Sequence, residues 1–297
     1  MYQDIMIKGI VPPIPTPLHA DETLDEEATT RIVELHLNAG VDAIWVLGTT
    51  GRFDLVTDGV QRRFAELVAE RVNGQVPLVL NVSEMGTQRV LEKAKRFDDL
   101  PYDVFSALCP WYQAIPAPHM TGYFHRLADE LSRPLLIYNA PWVVNQLSFD
   151  HLQKLAEHPR IIGAKDVTEQ YSRPQLWTRA ERQALDFSYL IGGSLVSTSA
   201  AMEADGSVTA LSAVFPELCV ATWKAVQEGN HVEAARYQRQ ITFLTTAFDR
   251  VHSVPATQVM CRHRGLGHCI AGHPFEPLDD TLEAQVLEIV KASGVLD

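Results

Sequence analysis

The chain has 297 residues, 46% hydrophobic and 21% charged, the profile of a globular protein. Its 25 Lys and Arg stand against 37 Asp and Glu, a net charge of −12, which argues against the basic footprint of a nucleic-acid binder. No apolar run approaches the roughly 18 residues of a membrane span, and the N-terminus shows no secretory signal pattern. Cys109, Cys219, Cys261 and Cys269 read as free thiols of a reducing compartment, so the expected location is the cytoplasm.

Along the chain, short β-branched runs alternate with amphipathic stretches at intervals of roughly 25 to 30 residues, the pattern of βαβ units with parallel strands. The first expected strand is 9–14. Asp25, followed by Glu26 and Glu27, then N-caps a helix that ends at Ala39 before the C′ glycine Gly40. Strand 43–47 precedes helix 57–72, strand 77–82 precedes helix 87–100, and strand 104–108 precedes helix 118–131. Strand 134–139 pairs with helix 148–157, strand 161–165 with helix 174–184, strand 187–191 with helix 195–204, and strand 207–211 with helix 216–228. Pro118, Pro174 and Pro216 suit first-turn positions.

Eight such pairs predict a closed α/β barrel, the (β/α)8 TIM architecture, over residues 1–228. Helical patterns at 232–251, 254–264 and 282–292 predict a C-terminal helical appendage, 229–297, on the barrel's flank. An open doubly wound sheet is the competing architecture, but its GxGxxG fingerprint is absent.

In a barrel the chemistry sits where strands end. The second strand ends in Gly48-Thr49-Thr50-Gly51, a turn whose backbone N–H groups can hold an anion such as a carboxylate, or which is a turn and nothing more. The fourth ends in Cys109-Pro110-Trp111-Tyr112, where aromatics more often pack than react. Tyr138 closes the fifth strand, as a proton relay or as a core tyrosine with a paired hydroxyl. The sixth carries the sharpest signal, Lys165 at the end of a strand otherwise suited to burial, with Gly163 and Ala164 leaving room around it. Burial favours the neutral amine, which can attack a carbonyl to form a Schiff base. The competing reading pairs Lys165 with Asp166. Gly192-Gly193-Ser194 ends the seventh strand, where backbone can approach a ligand closely. Cys261, His263, His268, Cys269 and His273 cluster without a familiar zinc spacing, so no metal is expected there. Arg62-Arg63 reads as a solvated helix face paired with Glu66.

Together these motifs resemble the dihydrodipicolinate synthase/N-acetylneuraminate lyase family over nearly the whole chain. Ile14-Pro15-Thr16-Pro17-Leu18 resembles its first-strand motif. Gly48-Thr49-Thr50-Gly51, Tyr138-Asn139-Ala140-Pro141 and Ile162-Gly163-Ala164-Lys165-Asp166 resemble its core motifs, in the family's order and spacing. The resemblance implies a class I, cofactor- and metal-independent lyase that makes or cleaves a C–C bond, acting on pyruvate or another 2-oxo acid with an aldehyde-type second substrate. By it, Lys165 forms the imine, Tyr138 relays protons, and Thr49 and Tyr112 complete the hydroxyl relay. In many members the tyrosine matching Tyr112 comes from a neighbouring subunit of a homotetramer built as a dimer of dimers. Thr50, with the turn's Gly48 and Gly51 and with Gly192, resembles the substrate-binding surface.

The departures bear on the second substrate. Arg52 stands where the family's turn carries Glu, and it supplies an anionic contact if it turns inward. Val143 replaces the synthases' arginine, Val167 the sialate lyases' threonine, and Ser194-Leu195 their Asp-Glu pair. Trp142, Val143, Val144, Val167 and Leu195 then predict an apolar second-substrate side and an apolar or aromatic aldehyde. A dehydratase of 2-oxo-3-deoxy sugar acids, breaking C–O rather than C–C, is the alternative within the family. A non-catalytic binder on the same barrel is the alternative from another class.

Overall fold

Every residue of the eight strands is buried, on both faces, as parallel strands must be when helices cover the outside of a sheet and side chains fill the inside. The protein is described by a computed structural model covering residues 5–267 and 272–295. The strands are β1 Gly9–Ile10, β2 Ile44–Val46, β3 Leu78–Asn81, β4 Val104–Leu108, β5 Leu135–Asn139, β6 Ile161–Asp166, β7 Ser188–Gly192 and β8 Gly206–Val208. They form one parallel sheet in the order β1-β8-β7-β6-β5-β4-β3-β2.

The sheet closes at the seam between its first and last members. Pro13 bridges Trp45 in parallel, Ile14 N donates to Trp45 O (3.0 Å), and Trp45 N donates to Pro12 O (2.9 Å). The expected strand 9–14 shrinks to two residues because Pro12 and Pro13 offer no N–H to a ladder. Asp42 supports the seam by accepting from Ile10 N (2.8 Å).

The helices are α1 Glu26–Ala39, α2 Asp58–Val72, α3 Thr87–Lys95, α4 Ala117–Glu130, α5 Phe149–Leu155, α6 Arg173–Leu176, α7 Arg179–Gln183, α8 Val196–Ala201, α9 Pro216–Gln227, α10 His231–Arg250, α11 Ser253–His263 and α12 Asp280–Ala292. Asp25 caps α1 through Ala28 N, and Gly40 ends it at φ 72°. The single helix expected over 174–184 is two. Trp177 turns extended between α6 and α7, and a Thr178/Glu181 capping box restarts the chain. The expected strand 207–211 ends at Val208, because the Thr209 side chain accepts from Leu211 N and starts a 3-10 turn, Ala210–Ala213.

The C-terminal helices share one hydrophobic core with the barrel. Ile241, Leu244, Val259, Met260, Val286 and Val290 are buried in the same cluster as the strands. Besides packing against the barrel, the α10–α11 junction reaches the cavity that Lys165 at the end of β6 lines. Cys109, Cys219 and Cys261 are free and buried, and burial pushes the Cys109 thiol up to about 12. Cys269 and His268 lie outside the described residues. No group of three potential ligands that could hold a metal ion occurs among the described residues. Among them, no helix is long and apolar enough to cross a membrane.

Arg182 ties α7 to the β7–β8 connection. Fully buried, it donates Nε to Asp205 Oδ2 (2.8 Å), Nη2 to Glu203 O (2.6 Å) and Nη1 to Trp177 O. Asp205 also accepts from Tyr189 N (2.9 Å). Arg182→Ala would strand a buried carboxylate, so chemical unfolding should show a loss of about 3–5 kcal/mol.

Candidate active site

The register of two neighbouring strands sets the chemistry. Tyr138 of β5 lies opposite Lys165 of β6, so both side chains enter the barrel at the same height. Asp166, one residue on, points the other way, as strand alternation requires. It is fully occupied there, accepting from Asn139 Nδ2, Thr168 N and Oγ1, Tyr189 Oη and Arg173 Nη1. The Lys165–Asp166 pair considered from sequence does not form.

Lys165 is 5% exposed and has no ion pair among the described residues. Its Nζ lies 4.1 Å from the Tyr138 ring centroid and 5.1 Å from that of Trp45. Ring faces attract a cation weakly, whereas removal from water disfavours it strongly. Burial alone pulls the amine down to about 7. A second buried lysine shows what is particular here. Lys93 of α3 falls to about 8, but Glu84 lies 3.8 Å away and no cavity described below is lined by it.

Tyr138 Oη and Thr49 Oγ1 are hydrogen-bonded at 3.0 Å. Burial pushes the phenol up to about 12, so it stays protonated and can pass a proton only by taking one. The turn that carries Thr49 is held on three sides. Asn81 Nδ2 donates to Leu47 O (2.8 Å), Thr16 Oγ1 donates to Gly51 O (2.7 Å), and Arg52 donates to Thr16 O. Leu47 and Arg52 both take positive φ, 55° and 54°, strain that such clamps must hold. A Cβ on Gly51 would sit 3.1 Å from Ile14 O and Leu47 Cα. Among the described residues the backbone N–H groups of Thr50 and Gly51 have no acceptor, which leaves two donors for an anion.

Above these groups lies a cavity of about 380 Å³. Lys165, Tyr138, Thr49 and Thr50 line it together with the apolar Pro13, Trp142, Val167, Val208, Ala210 and Phe248. Glu169, Gly193, Ser194, Thr209, Thr245, Asp249 and Ser253 complete the lining. Thr49 and Trp142 also border a second cavity of about 310 Å³, which Arg52, Phe53, Trp111 and Val143 line.

Several expected site residues stand elsewhere. Tyr112 is 74% exposed and lines neither cavity. Gly48 makes room for the Trp45 indole and Gly192 for the Val167 methyls, and neither lines either cavity. Arg52, 1% exposed, faces the second cavity, so its charge does not enter the reactive one. Of the five residues expected on an apolar side, Trp142 and Val167 line the reactive cavity, Val143 lines the second, Val144 is exposed and Leu195 lines neither. Sequence reasoning missed Glu169, Thr245, Asp249 and Ser253. No motif marks them, and the last three lie on helices assigned to the flank.

A closed (β/α)8 barrel with a buried, unpaired strand-end lysine beside a hydroxyl pair defines a class of lyase scaffold. The chain belongs to the dihydrodipicolinate synthetase family, which it matches over residues 6–293. It is 26% identical to the 4-hydroxy-tetrahydrodipicolinate synthase of Gluconacetobacter diazotrophicus, over 98% of this chain and 99% of that one. It is also 26% identical, over 81% of each chain, to Escherichia coli YjhH, named Probable 2-dehydro-3-deoxy-D-pentonate aldolase. Among solved structures, YagE of E. coli K12 in complex with pyruvate superposes with a TM-score of 0.91 at 22% identity, over 98% of this chain and 100% of that one.

Lys165→Met keeps the volume and removes an amine that must be neutral to stay buried. At neutral pH the unfolded lysine is protonated and the buried one only about half so, and the amine costs stability until the pH rises towards 10.5. The variant should melt a few degrees higher at pH 7 by calorimetry, a gap that narrows as the pH is raised.

Proposed function

We propose that the protein is a class I lyase in which Lys165 forms an imine with pyruvate or another 2-oxo acid, making or cleaving a C–C bond. The carrying observation is the buried Lys165 amine, unpaired and pulled to about 7, in the lining of a cavity beside Tyr138 and Thr49. The neutral amine adds to the 2-oxo carbon and water leaves. The iminium then accepts the electron pair of the C3–C4 bond as it breaks, giving an enamine and releasing an aldehyde. The proton leaving the C4 hydroxyl passes along the Tyr138–Thr49 pair, each hydroxyl giving one as it takes one, so no phenolate stands in the cavity. The amides of Thr50 and Gly51 receive the 2-oxo acid's carboxylate.

The hydroxyls of Ser194, Thr209, Thr245 and Ser253 in the cavity lining favour a hydroxylated aldehyde over the apolar one expected from sequence. The name of YjhH, an aldolase of a 2-oxo-3-deoxy sugar acid, is in keeping with this. The exposed Tyr112, together with a second cavity that reaches Thr49, supports completion of the relay by Tyr112 of a neighbouring copy in a homotetramer.

Borohydride reduction in the presence of pyruvate should add one pyruvate-derived mass, located on the Lys165 peptide, with Lys93 unlabelled. Lys165→Ala should abolish both label and turnover. An adduct absent with pyruvate and with longer 2-oxo acids would sink this function. The kcat/KM profile should rise through about pH 7 and level above it, as the protonated lysine gives way to the free amine. Tyr138→Phe should lower kcat by roughly 10²–10⁴, whereas a change confined to KM would assign the hydroxyl to binding.

A further inference from the structure

Two carboxylates, Glu169 and Asp249, line the reactive cavity, and both residues are exposed to solvent. Glu169 takes φ 56°, a left-handed conformation unusual for a residue with a side chain. Gly192 and Gly193 leave room for the segment after β6: a Cβ on Gly192 would lie 2.5 Å from a Val167 methyl carbon, and one on Gly193 2.6 Å from Tyr171 Oη.

Asp249 lies in the last turn of α10, at the negative end of the helix dipole, where a carboxylate is disfavoured. Thr245 is four residues earlier on the same face, and both line the cavity. The side-chain carboxylates of Glu169 and Asp249 make no hydrogen bond or ion pair among the described residues, so no partner neutralises either charge. Lys165 is the one cation among the described residues of the lining, and it is half neutral at about pH 7. Val143 is uncharged and lines the other cavity, as does Arg52, so neither brings a cation to this one.

Resting on the imine function proposed above, we propose that Glu169 and Asp249 are specificity-determining residues that form a charge filter. They exclude substrates carrying a second carboxylate and admit neutral, hydroxylated ones. The 2-oxo acid's own carboxylate escapes the filter because the Thr50 and Gly51 amides receive it.

The filter is read with two 2-oxo acids that differ in their tails, 2-oxopentanoate and 2-oxoglutarate. Half-saturation of borohydride trapping on Lys165 is measured for each at low and at high salt. The wild type should trap 2-oxopentanoate at about tenfold lower concentration than 2-oxoglutarate at low salt, with the ratio shrinking at high salt. In the Glu169→Gln/Asp249→Asn double variant the ratio should approach one. The charge-conserving Glu169→Asp/Asp249→Glu variant should restore most of it, which a merely structural role would not do. Equal half-saturation in the wild type, or a ratio indifferent to the neutral double variant, would overturn the filter. Trapping of neither acid would instead overturn the imine. Calorimetric binding of the same two acids would then read the filter without it.

Discussion

Everything at the catalytic end follows from keeping one amine dry without giving it a counter-charge. A lysine is almost never buried unpaired, and a carboxylate beside it would hold it protonated and unreactive. Here the surroundings are the ring faces of Tyr138 and Trp45, which temper the loss of water without supplying a negative charge. The obvious partner, Asp166, is turned outward by strand alternation and saturated by Arg173, Tyr189, Asn139 and Thr168. That saturation is the complement of the lysine's isolation. It fixes the strand end while keeping its charge on the far side of the sheet.

The hydroxyl side depends on a different device. Thr49 reaches Tyr138 only because a strained turn is pinned by Asn81 and Thr16, side chains from β3 and from the segment after β1. The same turn leaves two amides without acceptors. Strain, clamps and free donors thus occur together, as expected where backbone geometry is set by a ligand rather than by the fold. Lys165 and Tyr138 stand on regular strands, so the reacting groups are held rigidly and only the anion cradle is irregular.

Most of the barrel was legible in the sequence because its strands are short apolar runs with turn signals between them. The misreadings have specific causes. Pro12 and Pro13 cut the first strand, Thr209 started a 3-10 turn where a strand was expected, and Trp177 broke one helix into two. Lys165 and Tyr138 stood out because a polar residue closing an apolar strand has a chemical meaning. Tyr112, Gly48 and Gly192 line neither cavity of the single chain, which a motif read alone does not reveal. Glu169 and Asp249 were invisible. An acid in a polar loop and another at a helix end look ordinary until the fold sets them across one cavity.

The α10–α11 junction separates two tasks along the chain. The proposed imine chemistry draws on residues between Thr49 and Lys165, whereas Thr245, Asp249 and Ser253 join the same cavity from the helices that follow the barrel. During synthesis the proposed nucleophile is therefore made before these three lining residues. Substitutions in the last helices can alter the cavity lining without touching Lys165, Tyr138 or Thr49.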